Sequence, residues 1–144
     1  MKPIFDSWQF WAILSASFAA LTAIFAKIGV ANISSDFATL IRTIVILAAI
    51  CLVVVATGQW QSLNQISPRT YLFLTLSGLA TGASWLCYFR ALKIGQASQV
   101  APVDKLSVLL VAVFGVMFLG EKLSALNWMG VVLVLGGVLL LIRI

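Results

Sequence analysis

The chain has 144 residues, 62% of them hydrophobic and 9% charged, with a net charge of +5 and a mean hydropathy of +1.14. A soluble domain carries roughly 25% charged residues, and no core in a chain this short can hide so much apolar surface. That excludes a soluble fold and leaves no room for a soluble catalytic domain. The basic residues are scattered rather than clustered, which argues against nucleic acid. The lack of histidine removes the usual metal ligand and general base.

Taken in chain order, the sequence predicts an all-α membrane protein, a five-transmembrane-helix bundle forming one domain over residues 1–144. The N-terminus, MKPIFDSWQF, has one Lys, an early Pro and an early Asp, and the apolar run after it is too long for a cleaved signal. It reads as an uncleaved first span, Trp8–Val30. The further spans are Phe37–Thr57, Tyr71–Ile94, Val100–Leu119 and Ala125–Ile142. Each is long enough to cross about 30 Å of hydrocarbon. Short polar links join them, and Ser67-Pro68 is a helix-start signal. Short links force antiparallel neighbours. Trp8, Trp11, Trp60, Tyr71 and Trp128 fall near span ends, as an interfacial aromatic belt does. Cys51 and Cys87 lie in apolar runs and are expected to be free thiols.

The charge bias that orients such a chain is thin. Lys2, Arg69 and Lys122 gather on one side, and Lys27, Arg42, Arg90, Lys93 and Arg143 on the other. Insertion in both orientations fits this. Small residues mark helix contacts: Gly78 and Gly82 form a GxxxG, which denotes either internal packing or a subunit interface.

The embedded polar residues carry the functional reading, since charge inside a span is costly and marks a functional site by default. Lys27 ends the first span and can snorkel. Arg42 lies deeper in the second. Trp85 is in mid-span, away from either interface. With Thr81, Ser84 and Tyr88 it forms one helical face, which either lines a cavity or packs between helices; Arg90 follows. Asp104 and Lys105 are adjacent, so on a continuous helix they point about 100° apart and pair poorly. If Pro102 opens the helix, Asp104 only offsets the helix dipole; if the helix starts earlier, both charges are embedded. Lys27, Arg42, Arg90 and Lys105 against Asp104 give a basic balance, which favours anionic or zwitterionic cargo. The candidate substrate-binding set is therefore Arg90, Asp104, Lys105, Trp85, Tyr88, Arg42 and Lys27, with no cofactor or metal expected.

At this point the chain resembles a known family. Phe25-Ala-Lys-Ile-Gly, Ile41-Arg-Thr, Ser77-Gly-Leu-Ala-Thr-Gly and Tyr88-Phe-Arg-Ala-Leu-Lys stand in its order. After them come Ala97-Ser, Val100-Ala-Pro-Val-Asp-Lys-Leu-Ser, Phe118-Leu-Gly-Glu-Lys, and Gly130 with Gly136-Gly137. Together they look like the EamA repeat of the drug/metabolite transporter superfamily, in its short five-span bacterial and archaeal branch. Many two-repeat members carry a Pro in mid-fourth span; here Val108 stands near that place and the Pro is at 102. The resemblance implies a secondary carrier of small metabolites in the prokaryotic inner membrane. A single repeat would have to pair with a second copy, in antiparallel fashion above all, to rebuild two halves. A small multidrug cation exporter is the alternative, but it needs an acid in the first span, and none lies between Ser7 and Val30. A non-transporting accessory membrane protein is a further alternative. No enzymatic activity is expected.

Overall fold

A computed structural model describes residues 7–142. The signal-peptide reading of the first six residues and the charges of Lys2 and Arg143 fall outside them. The helices are α1 (Trp8–Gly29), α2 (Ser35–Ala56), α3 (Pro68–Ile94), α4 (Ala97–Asp104), α5 (Ser107–Leu119) and α6 (Ala125–Ile142), with a short 3₁₀ turn at Leu63–Gln65. No strand occurs among the described residues. Five stretches are long and apolar enough to cross a membrane, α4 and α5 together forming the fourth. The chain divides into two compact units, Met1–Ile94 and Gly95–Ile144.

Serines set most of the helix starts. A helix leaves its first amides without intrahelical partners, and a serine oxygen placed just before the helix supplies one. Ser7 accepts from the Phe10 amide at 3.3 Å, Ser34 from Phe37 at 3.2 Å, Ser67 from Thr70 at 3.1 Å and Ser124 from Asn127 at 3.2 Å. Each such cap is worth about 1 kcal/mol. Pro68 then opens α3, where its missing N–H is harmless. The Tyr71 hydroxyl donates to the Leu63 carbonyl at 2.9 Å and ties the 3₁₀ turn to α3.

In the first unit, α3 packs on both α1 and α2. The buried residues gather where α1 ends, α2 begins and α3 ends: Ala23, Ala26, Val30, Ala38, Thr39, Phe89 and Leu92. Alanines at the contacts let the helices approach closely around Leu92 and Phe89. An added Cβ at Gly78 or Gly82 would meet nothing within 4 Å, so the GxxxG is not a packing contact among the described residues of the first unit.

In the second unit, α6 packs on α4 and α5. The fourth span starts at Ala97, so Pro102 sits inside α4 and does not open it. A proline there cannot donate to the carbonyl four residues back. Just beyond, the amides of Lys105, Leu106, Val108 and Leu109 turn to the carbonyl three residues back, at 3.0–3.1 Å. The span is broken between Asp104 and Ser107. Asp104 and Lys105 nevertheless meet in one long, exposed contact, Lys105 Nζ to Asp104 Oδ2 at 3.4 Å. The 100° rule holds along a regular helix, and the helix ends there. α5 closes at Gly120, whose φ of 69° is left-handed, and the amides of Gly120 and Glu121 both point at the Gly115 carbonyl. The Glu121 side chain folds over Gly115, where a Cβ would lie 2.5 Å from its Oε2.

Candidate functional site

The candidate site lies at the packed end of the first unit, where three basic side chains tie the helices together. Lys27, in the last turn of α1, donates to the Leu92 carbonyl at 2.6 Å. A cation at the last carbonyls of a helix also meets the negative end of its dipole. Lys93 donates to the carbonyl of Ile33, in the α1–α2 link, at 2.6 Å. Arg90 grips Asp36 with two bonds, Nε to Oδ1 at 3.2 Å and Nη2 to Oδ2 at 2.9 Å. Asp36 stands in the first turn of α2, where the helix dipole favours an acid. Each of these three cations is therefore bound to an oxygen of another part of the unit.

Arg42 is different. It lies six residues beyond Asp36, roughly 9 Å further along the helix axis. It is half-buried, and its guanidinium carbon is 4.4 Å from the Trp85 ring centroid and 5.5 Å from that of Phe89. Trp85 and Phe89 are one turn apart on α3, so both rings face the same arginine. A guanidinium over aromatic faces gains about 0.5–2 kcal/mol. Among the described residues, no acid pairs with Arg42. The group walls a cavity of about 350 Å³ together with Thr22, Phe25, Ala26, Gly29, Ile33, Ala38, Ile41 and Phe89. Among the described residues, Arg42 is the only charged one of this lining, and Thr22 brings the only other polar side chain.

The structure thus brings together Arg42 and Trp85 from the sequence-derived set and adds Phe89. Tyr88 stands beside them, half-buried, its ring 6.5 Å from that of Phe89 and edge-on to it. Arg90 turns to Asp36, and Lys27 to a carbonyl. Asp104 and Lys105 belong to the second unit, at the helix break. Sequence reasoning missed Asp36, which it placed in a connecting loop, and Lys93. The Ser34 cap followed by an acid was the signal for Asp36 as a first-turn residue. The four-residue spacing of Trp85 and Phe89 was the signal for the paired rings.

The chain matches the EamA-like transporter family over residues 6–143. It belongs to that family. It is similar to a protein of Sinorhizobium sp. described as an uncharacterized transporter in the cobO 3′ region, with 69% identity covering 94% of this chain and 96% of the relative. It is also similar, at 30% identity over 81 residues, to an uncharacterized transporter of Pseudomonas aeruginosa. That match covers 56% of this chain and 27% of the Pseudomonas protein, which is therefore about twice as long. No solved structure matches the chain. With five apolar spans and this family membership, the protein is an integral membrane protein with a transporter role.

Proposed function

We propose that the chain is one subunit of a secondary carrier that moves a small anionic or zwitterionic metabolite by alternating access across the cytoplasmic membrane of a prokaryote. It works as a homodimer, with an antiparallel pair favoured. The observation that carries this is the cavity on Arg42: a cation set over two aromatic rings inside a span, facing a pocket of ligand size. Its role is carriage rather than catalysis.

Two further observations support the dimer. The Gly78–Gly82 face is open among the described residues of the first unit, which suits close approach by a second helix. The Pseudomonas relative is about twice as long, as two repeats in one chain would be. The cation-exporter reading is disfavoured because Asp36, the acid at the packed end, has both oxygens bound by Arg90.

The test is reconstitution. Native mass spectrometry of the purified protein is expected to show two copies. Terminal tags probed from both sides of the membrane are expected to find each terminus on both sides. Proteoliposomes loaded with a labelled metabolite extract are expected to lose anionic or zwitterionic compounds in a protein-dependent way. A monomer, or vesicles that lose only cations, would refute the reading.

A further inference from the structure

We infer that the Arg42 cavity takes an organic monoanion with an apolar body, and rejects zwitterions, cations and dianions of the same body. The inference rests on the carrier reading above and narrows its cargo from anionic or zwitterionic to monoanionic.

The argument is a count of charges at one end of three helices. Four basic side chains stand there. Lys27 and Lys93 are bound to carbonyls and Arg90 to Asp36. Arg42 alone faces the cavity with its charge unopposed among the described residues. The guanidinium carbon lies over both rings, and its N–H donors spread in the guanidinium plane. A carboxylate is the acceptor that matches that planar fork.

The rest of the lining decides what the carboxylate is attached to. Phe25, Ala26, Ile33, Ala38 and Ile41 offer hydrocarbon. A zwitterion would bring an ammonium group, and no acid among the described residues lines the cavity to receive it. An uncompensated charge in an apolar site is heavily penalised. A free cation meets the same penalty plus repulsion by Arg42. A dianion would leave its second charge uncompensated against a single cation.

The test uses four compounds with one isobutyl body: 4-methylpentanoate (monoanion), leucine (zwitterion), 3-methylbutylamine (cation) and isobutylmalonate (dianion). Binding to the full chain in neutral-lipid nanodiscs is measured by calorimetry at pH 7. 4-Methylpentanoate is expected to bind at least about tenfold tighter than the other three. In Arg42→Gln that binding should weaken at least about tenfold, the loss of a charge-assisted hydrogen bond. Arg42→Lys keeps the charge and loses the fork, and should fall between. Comparable binding of leucine would mean that an acid reaches the cavity, from a second copy for instance, and would overturn the inference. So would undiminished binding in a folded Arg42→Gln, or failure of all four to bind. The selectivity of the unaltered protein decides the matter even if the variants do not fold. The carrier reading is judged apart from it: binding of 4-methylpentanoate without protein-dependent flux of any compound upholds the site and sinks the carrier. Leucine flux that persists in Arg42→Gln does the reverse.

Discussion

Among the described residues each of the two units holds one acid–base pair, and the pairs do opposite things. In the first unit Asp36 and Arg90 are 54 residues apart and join the start of α2 to the end of α3 through two bonds. In the second, Asp104 and Lys105 are neighbours, 3.4 Å apart, at a helix break. The first pair fastens helices around a buried core and a cavity. The second marks a place where a helix stops. The difference teaches that an embedded charge is informative only with its partner: three of the four cations at the packed end hold structure together, and the fourth is left for chemistry.

The hardest test of that comparison is the core itself. Leu92 is 0% exposed in the first unit, whereas Leu133 on α6 is 68% exposed. Leu92→Ala is expected to lower stability by about 2–5 kcal/mol, as a buried truncation does. Leu133→Ala should stay within about 0.5 kcal/mol. Thermal unfolding of both in the same detergent checks it. Equal losses would mean that α6 is covered as tightly as the core, and the contrast between the units would fail.

The helix break gives the next largest effect. Pro102 lies inside α4, and proline in a helix interior costs up to about 3 kcal/mol relative to alanine. Pro102→Ala should therefore stabilise the fourth span and extend α4 toward α5. Lys105 would then swing away from Asp104. Hydrogen exchange at the amides of residues 105–109 is expected to slow. Unchanged exchange would show that the break belongs to the surrounding structure rather than to the proline.

Much of this was legible in the sequence, and the reasons are local. The spans were readable because apolar runs ended by Ser, Pro and Gly leave few alternatives, and the fifth span lies at Ala125–Ile142 as expected. The break after Asp104 was half-legible: Pro102 pointed to it, but whether the helix began before or after the proline depended on the Gln96–Ala97 turn. The pairings were not legible. Arg90 to Asp36 and Arg42 to Trp85 join residues far apart in sequence, and helix rotation decides which partner each side chain meets. Counting Asp36 as a loop residue left Arg90 without an acid, so the cargo reading counted Arg90 alongside Arg42.

A smaller effect is expected at the α5–α6 turn. Gly120 has φ of 69°, and a side chain there is strained by about 1 kcal/mol. Gly120→Ala should lose about that much, while Gly58→Ala, at φ of 65°, should lose a similar amount in the first unit. Denaturation midpoints of the two variants check it. A loss at only one of the two would show that the other turn has room to change its backbone.

The smallest effect separates the two acid–base pairs directly. A double-mutant cycle removes each partner alone and then both, which isolates their coupling from the cost of each substitution. For Asp104→Asn with Lys105→Gln, the contact is a single one of 3.4 Å between neighbours on an exposed segment. Coupling there should be near zero, at the low end of what exposed pairs give. Asp36→Asn with Arg90→Gln removes a two-bond contact between different helices. A bidentate grip fixes geometry as well as charge, so a positive coupling is expected, larger than in the second unit. Each single variant at this pair should also loosen the packed end, read as faster exchange at the first amides of α2. Salt separates the causes: an exposed pair weakens as ionic strength rises, so the coupling should shrink in high salt if charge carries it. Equal coupling in the two units would mean that Asp36 and Arg90 do no fastening. Arg90 would then be as available to an anion as Arg42, and the monoanion count at the packed end would fail with it.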